Sequence, residues 1–100
     1  MSGVPPIRYV VFHKPGPEWR PGVDFKEQAG VSEHVMHYKK LQEEGRLSFG
    51  GPFLDDSGGM MIPVEGETMG SIEEFASSDP AVKSGLLTYK VKPWLLAMSK

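Results

Sequence analysis

Two residues suited to proton transfer fall where an apolar side chain is expected: His34 within segment 31–44, and Asp79 at the end of 71–79. Stepped around a helix at about 100° per residue, Val31, Val35, Tyr38 and Leu41 form one stripe, and His34 lies inside it beside Tyr38 and Leu41. In the second segment Ile72, Phe75 and Ala76 share a face, and Asp79 follows Phe75 by one helical turn. A charge withdrawn from water without a partner is costly enough that the group normally neutralises or finds a counter-charge. The spacing therefore predicts that His34 and Asp79 face each other. Imidazole, with an ordinary pKa of about 6.5, takes and returns protons near neutral pH. A carboxylate on its second nitrogen would fix the tautomer and stabilise the imidazolium. The plain alternative is a buried structural hydrogen bond that joins two helices.

The other candidates carry less. His37 follows His34 by three residues, yet no third ligand stands at a diagnostic metal spacing even if Glu33 is counted, so it reads as a solvent-edge histidine and no metal is expected. His13 shares strand parity with Tyr9 and Val11 and closes the first strand, either lining a pocket or capping the core. Trp19 lies in a proline-rich stretch, where it can stack on a flat substrate or anchor the loop to the body. Gly50, Gly51 and Pro52 have no cationic partner at phosphate-loop spacing and read as a place of close backbone approach. Tyr38, Gly51 and Pro52 join His13 and Trp19 as expected substrate contacts. Met60 and Met61 read as core filling, and Trp94 as packing for the last strand.

These residues need elements to hold them. Segment 7–13 (IRYVVFH) is apolar on both parities, as in a strand covered on both faces. The following sixteen residues hold three prolines and two glycines without a sustained period, a long loop of the kind that forms lids or binding walls. A helix over 31–44 follows, with Ser32 as its expected N-cap and Gly45 just past its end. Two strands, 47–54 and 58–64, are joined by the turn-forming run 55–57, the first bent or bulged by its glycines and Pro52. Ser71 and Glu74 predict a capping box that opens a helix over 71–79, which Asp79-Pro80 terminates or re-aims. A half-exposed strand through LLTYKVKPW closes the order βαββαβ. That order predicts an α+β, ferredoxin-like fold, an antiparallel sheet with both helices on one face. The two-sided first strand predicts a homodimer packed through the other sheet face.

Composition narrows the class. One domain over 1–100 is expected from the length of 100 residues. The net charge of −2 disfavours nucleic acid as a partner. Cysteine is absent, which removes disulfides, thiolate metal sites and a cysteine nucleophile. No basic region leads into a long apolar run, so neither a signal peptide nor a membrane span is expected and the cytoplasm is the expected location.

The runs FHKPGPEWRPG (12–22), EHVMHYKKLQEEGRLSFGGPFLDDSGGM (33–60), SDPAVKSGLL (78–87) and VKPW (91–94) together resemble the YCII-related (YciI-like) proteins across nearly the whole chain. The resemblance implies a dimeric α/β barrel of ferredoxin-like type with a His–Asp pair as its active site. By position these are His34, eleven residues before the glycine of EGRL, and Asp79 of the Asp-Pro dipeptide. It further implies a cofactor-independent lyase or isomerase acting on a small, aromatic or (chloro)hydroxyquinol-type molecule, since one type within the family eliminates HCl from a chlorinated hydroxyquinol. A module that captures a small metabolite or partner without turnover is the competing reading.

Overall fold

A computed structural model describes residues 6–99. Strand β1 (Ile7–Pro15) leads through a loop with one 3-10 turn at Phe25–Glu27 into α1 (Val31–Glu43). Next come β2 (Leu47–Pro52), β3 (Gly59–Pro63), α2 (Met69–Ser77), the short α3 (Pro80–Lys83) and β4 (Leu87–Leu95). The four strands form one antiparallel sheet in the order β2-β3-β1-β4, the ferredoxin-like arrangement. β1 pairs with β4 from Ile7↔Leu95 to Pro15↔Leu87. The expected irregularity in β2 is present as a register shift between Leu47 and Phe49.

Both long helices cover one face of the sheet. Val11, Met61 and Val91 from the strands meet Tyr38 and Leu41 of α1 and Ile72 and Ala76 of α2 in one buried cluster. Leu41 and Ile72 are each only 1% exposed, worth about 1.5–3 kcal/mol apiece on transfer arithmetic. A smaller cluster of Ala81, Leu86 and Leu87, with Trp19 and Val31 packed on it, holds the far end. The opposite sheet face carries Val10, Phe12, Met60, Ile62 and Trp94, with the Lys92 ammonium 5.4 Å from the centre of the Phe12 ring. Met61 therefore fills the core while Met60 belongs to the outer face, and Trp94, 42% exposed, is an outer-face residue too.

The helix ends differ in part from expectation. α1 is not capped by Ser32; the chain turns at Gly30, in a left-handed conformation (φ 98°), and the helix starts directly at Val31. Its far end is closed as expected around Gly45 (φ 76°): Arg46 N–H donates to Leu41 O at 3.0 Å and Gly45 N–H to Gln42 O at 2.9 Å, a Schellman motif. α2 begins two residues earlier than expected, because Thr68 is the N-cap. Its hydroxyl accepts from Ser71 N–H while the Ser71 hydroxyl accepts from Thr68 N–H, so Ser71 is the third residue of the box rather than its first. α2 ends at Ser77, and Asp79-Pro80 opens a separate helix, with Asp79 as N-cap and Pro80 in the first turn.

Candidate functional site

The re-aimed chain at Asp79 builds the site. As N-cap of α3, Asp79 spends Oδ1 on Ala81 N–H at 2.9 Å. Oδ2 is left to accept from His34 Nδ1–H, which reaches across from the buried stripe of α1 at 2.6 Å. Asp79 has no exposed surface, and His34 is 9% exposed. Burial pushes the Asp79 carboxyl up, but the His34 hydrogen bond, the charge of that imidazole and the Ala81 N–H together hold it below the usual aspartate value. An ionised carboxylate therefore fixes the His34 tautomer, and among the described residues Nε2 has no hydrogen-bond partner, in a side chain that lines the cavity. A buried charge-assisted bond of this kind contributes about 1.5–3 kcal/mol.

His13 completes the cluster, a proximity that the sequence reading did not foresee. Its ring meets His34 edge-on with centroids 4.8 Å apart, and its Nε2 lies 3.9 Å from Asp79 Oδ2 and at a long 3.5 Å from the Tyr38 hydroxyl. Burial first, then the neighbouring His34 charge, lower the His13 pKa to about 4 against the opposing pull of Asp79, so the ring is neutral at pH 7. Neutral His13 meets the Tyr38 hydroxyl through Nε2, and burial with the nearby Asp79 charge pushes the phenol up and keeps it protonated. His13 Nδ1 is buried without a partner among the described residues. The signal in the sequence was only parity: His13 follows Tyr9 and Val11 on the core-facing side.

Among the described residues, His13, His34 and Asp79 are the group whose donor atoms, all within 4.8 Å of one another, could hold a metal ion. Two donors on a tetrahedral ion at 2.0–2.1 Å stand roughly 3.3 Å apart. The 2.6 Å between His34 and Asp79 is instead hydrogen-bond distance. His37 is neither a ligand of this group nor a solvent-edge residue: half-buried, it donates from Nε2 to Phe75 O at 2.7 Å and stacks on the Phe75 ring at 4.0 Å. It braces α1 against α2.

A cavity of about 520 Å³ opens above the pair. His13, His34 and Tyr38 form its floor, Trp19 and Phe25 of the β1–α1 loop one wall, and Phe49, Gly51 and Pro52 of β2 another. Every residue expected to touch substrate therefore borders one space. Trp19 unites its two expected roles, since it lines the cavity and also packs on the Ala81–Leu86–Leu87 cluster. Val35, expected inside the apolar stripe, is 46% exposed because its part of the stripe overhangs the cavity instead of the core. Lys39 and Gln42 stand at the α1 side of the opening.

A ferredoxin-like sheet with a histidine–aspartate pair beneath an aromatic-walled pocket is the class that fold and site define. The model of the YCII-related domain matches residues 7–95, and the chain belongs to that family. It is 35% identical to the uncharacterized protein YjpA of Bacillus subtilis (strain 168) over 69 residues, 69% of this chain and 80% of that one. Among solved structures it resembles 5-chloro-2-hydroxyhydroquinone dehydrochlorinase (TftG) from Burkholderia phenoliruptrix AC1100, in complex with 2,5-dihydroxybenzoquinone. The TM-score is 0.58 at 24% identity, over 87% of this chain and 92% of that chain, a likeness of fold. Among the described residues no helix is long and apolar enough to cross a membrane.

Proposed function

We propose that the protein is a cofactor-independent lyase or isomerase of a small aromatic or hydroxyquinol-type molecule, with His34 as general acid/base and Asp79 as its orienting partner. The observation that carries this reading is the buried 2.6 Å bond from His34 Nδ1–H to Asp79 Oδ2 at the floor of an aromatic-walled cavity. His34 Nε2 takes a proton from the substrate, and the Asp79 carboxylate stabilises the imidazolium that forms. For a chlorinated hydroxyquinol, His34 returns that hydroxyl proton to the chlorine-bearing ring carbon, and as the C–Cl bond breaks and chloride leaves, a second hydroxyl proton passes through His34 to water and a hydroxyquinone remains. The net loss is one proton and one chloride, so no oxidant or reductant enters. Trp19, Phe25 and Phe49 supply faces against which a flat ring can lie, and Tyr38 and His13 supply polar groups beneath it. The fold likeness to a dehydrochlorinase supports this choice of substrate class. The apolar outer face of the sheet supports a homodimer joined there.

The test is an anaerobic, chelator-treated turnover assay on chlorinated hydroxyquinols and lactones, reading chloride release and ultraviolet change, with His34→Ala and Asp79→Asn as controls. Turnover that both substitutions abolish in folded protein is the expected result. Turnover unchanged in both would end this mechanism, and saturable binding without turnover in the wild type would make the pocket a non-catalytic binding module.

A further inference from the structure

The mechanism makes no use of Gln28, one of the few buried polar residues of the chain at 3% exposure. Its carboxamide makes three hydrogen bonds, all to the backbone of the loop that precedes it. Oε1 accepts from Arg20 N–H at 3.0 Å, and Nε2 donates to Arg20 O at 2.8 Å and to Val23 O at 2.9 Å. One side-chain amide thus serves both backbone groups of Arg20, much as a neighbouring strand would. A buried amide left without such partners would cost several kcal/mol, so the loop and Gln28 satisfy each other.

Among the described residues the rest of the loop has few ties beyond the packing of Trp19 on the Ala81–Leu86–Leu87 cluster. At its start Gly16 N–H donates to Leu86 O at 2.8 Å and Glu18 N–H to Gly85 O at 2.9 Å, which fastens it to the α3–β4 turn. From Trp19 to Gln28 the remaining backbone bonds are single turns: Trp19 to Gly16, Val23 to Arg20, Glu27 to Asp24, Gln28 to Phe25 and Val31 to Gln28. Turns of this length do not set where a loop lies. The Gln28 carboxamide spans five to eight residues of it; of the two aromatic side chains that wall the cavity, Phe25 lies inside the closed span 20–28 and Trp19 immediately before it.

We propose that Gln28 is a positioning residue whose carboxamide cinches residues 20–28 into a preformed wall, so that Phe25 and the adjoining Trp19 stand over the His34–Asp79 pair before any ligand arrives. The loop is then a fixed part of the pocket and not a lid that closes on it. The role in ligand capture rests on the function proposed above; the role in loop geometry does not.

Two readouts separate these. In a Trp94→Phe background, acrylamide quenching reports Trp19 alone, and amide exchange by NMR reports the Arg20 N–H; neither needs a ligand. Gln28→Leu is expected to raise the quenching constant severalfold and remove Arg20 protection while β1 and β4 amides stay protected. Gln28→Glu keeps the acceptor but sets a carboxylate against two carbonyls, so its loop is expected to loosen at neutral pH and recover part of its protection on acidification, when the carboxyl regains an O–H donor. Binding of 2,5-dihydroxybenzoquinone, used as the probe, is expected to weaken at least tenfold in both variants at neutral pH. An Arg20 amide as protected, and a Trp19 as shielded, in Gln28→Leu as in the wild type would overturn the proposal. Failure of wild-type protein to bind the quinone, with the loop readouts as expected, would count against the substrate class and leave the cinch standing.

Discussion

Placing a second imidazole under the dyad has a cost that pH exposes. His13 is 2% exposed, and burial with the adjacent His34 charge lowers its pKa from 6.5 to about 4. The charged groups around it are His34, Asp79 and His37, and only the Asp79 carboxylate favours its protonation. Between these two values the unfolded chain binds a proton at residue 13 that the folded protein refuses. Unfolding is then favoured as pH falls through this window, by up to about 1.4 kcal/mol per pH unit. Integrated from pH 7 to 4.5, the loss is roughly 2 kcal/mol. Asp79 acts in the same direction but lower: its folded-state carboxyl lies below the ordinary aspartate value, so its contribution is present above the unfolded value and lost only as pH drops beneath this window. Urea unfolding of wild type and His13→Phe at half-unit steps across the range reads the His13 component together with its coupling to His34 and Asp79, because groups remote from it cancel in the difference. Phenylalanine keeps a ring of similar bulk without a titrating nitrogen. The two proteins are expected to differ in slope and to converge near neutral pH apart from a constant offset. Parallel curves would refute the claim that His13 is held neutral by burial.

Three further outcomes are open to measurement. Asp79→Asn keeps an oxygen able to cap Ala81 N–H but removes the charge that fixes His34, so turnover is expected to fall about 10²–10⁴-fold while helical content by circular dichroism is retained. Gly51 lines the cavity with nothing within 4 Å of where a Cβ would stand, so Gly51→Leu is expected to leave the melting temperature nearly unchanged while weakening binding of a ring-sized ligand about tenfold by calorimetry. Phe12→Asp on the outer sheet face is expected to convert a dimer to a monomer in light-scattering mass measurements, and a monomeric wild type would remove the basis for that expectation.

Legibility from sequence followed the range of the physics. His34 could be picked out because helical phase is local: a polar residue inside an apolar stripe announces itself within two turns. Asp79 was assigned the right direction on the wrong element, since Asp-Pro reads equally as the end of one helix and as the N-cap and first turn of the next. Only the second reading explains how both carboxylate oxygens are used. The meeting of His13 with the pair depends on which strand lies beneath α1, a consequence of sheet order that no local pattern encodes. The β1–α1 loop was legible as a loop, from its prolines and lack of period. Its shape depends on one glutamine side chain, and a single polar residue leaves no periodic trace. Val35 marks the limit of phase arguments, because a stripe predicts which side faces inward and is silent on whether core or cavity waits there.

The pairing of β1 with β4 along nine residues has a consequence for how the protein comes to exist in a cell. Of the four strands the ribosome makes β1 first, yet the neighbour that completes one side of it, β4, is the last of the four. Until residues near 95 emerge, Val10, Val11 and Phe12 stand on an open edge with apolar side chains on both faces. Such long-range closure slows folding relative to a helical bundle of the same length. His13 sits on that waiting strand, so its meeting with His34 and Asp79 depends on a sheet that only β4 completes.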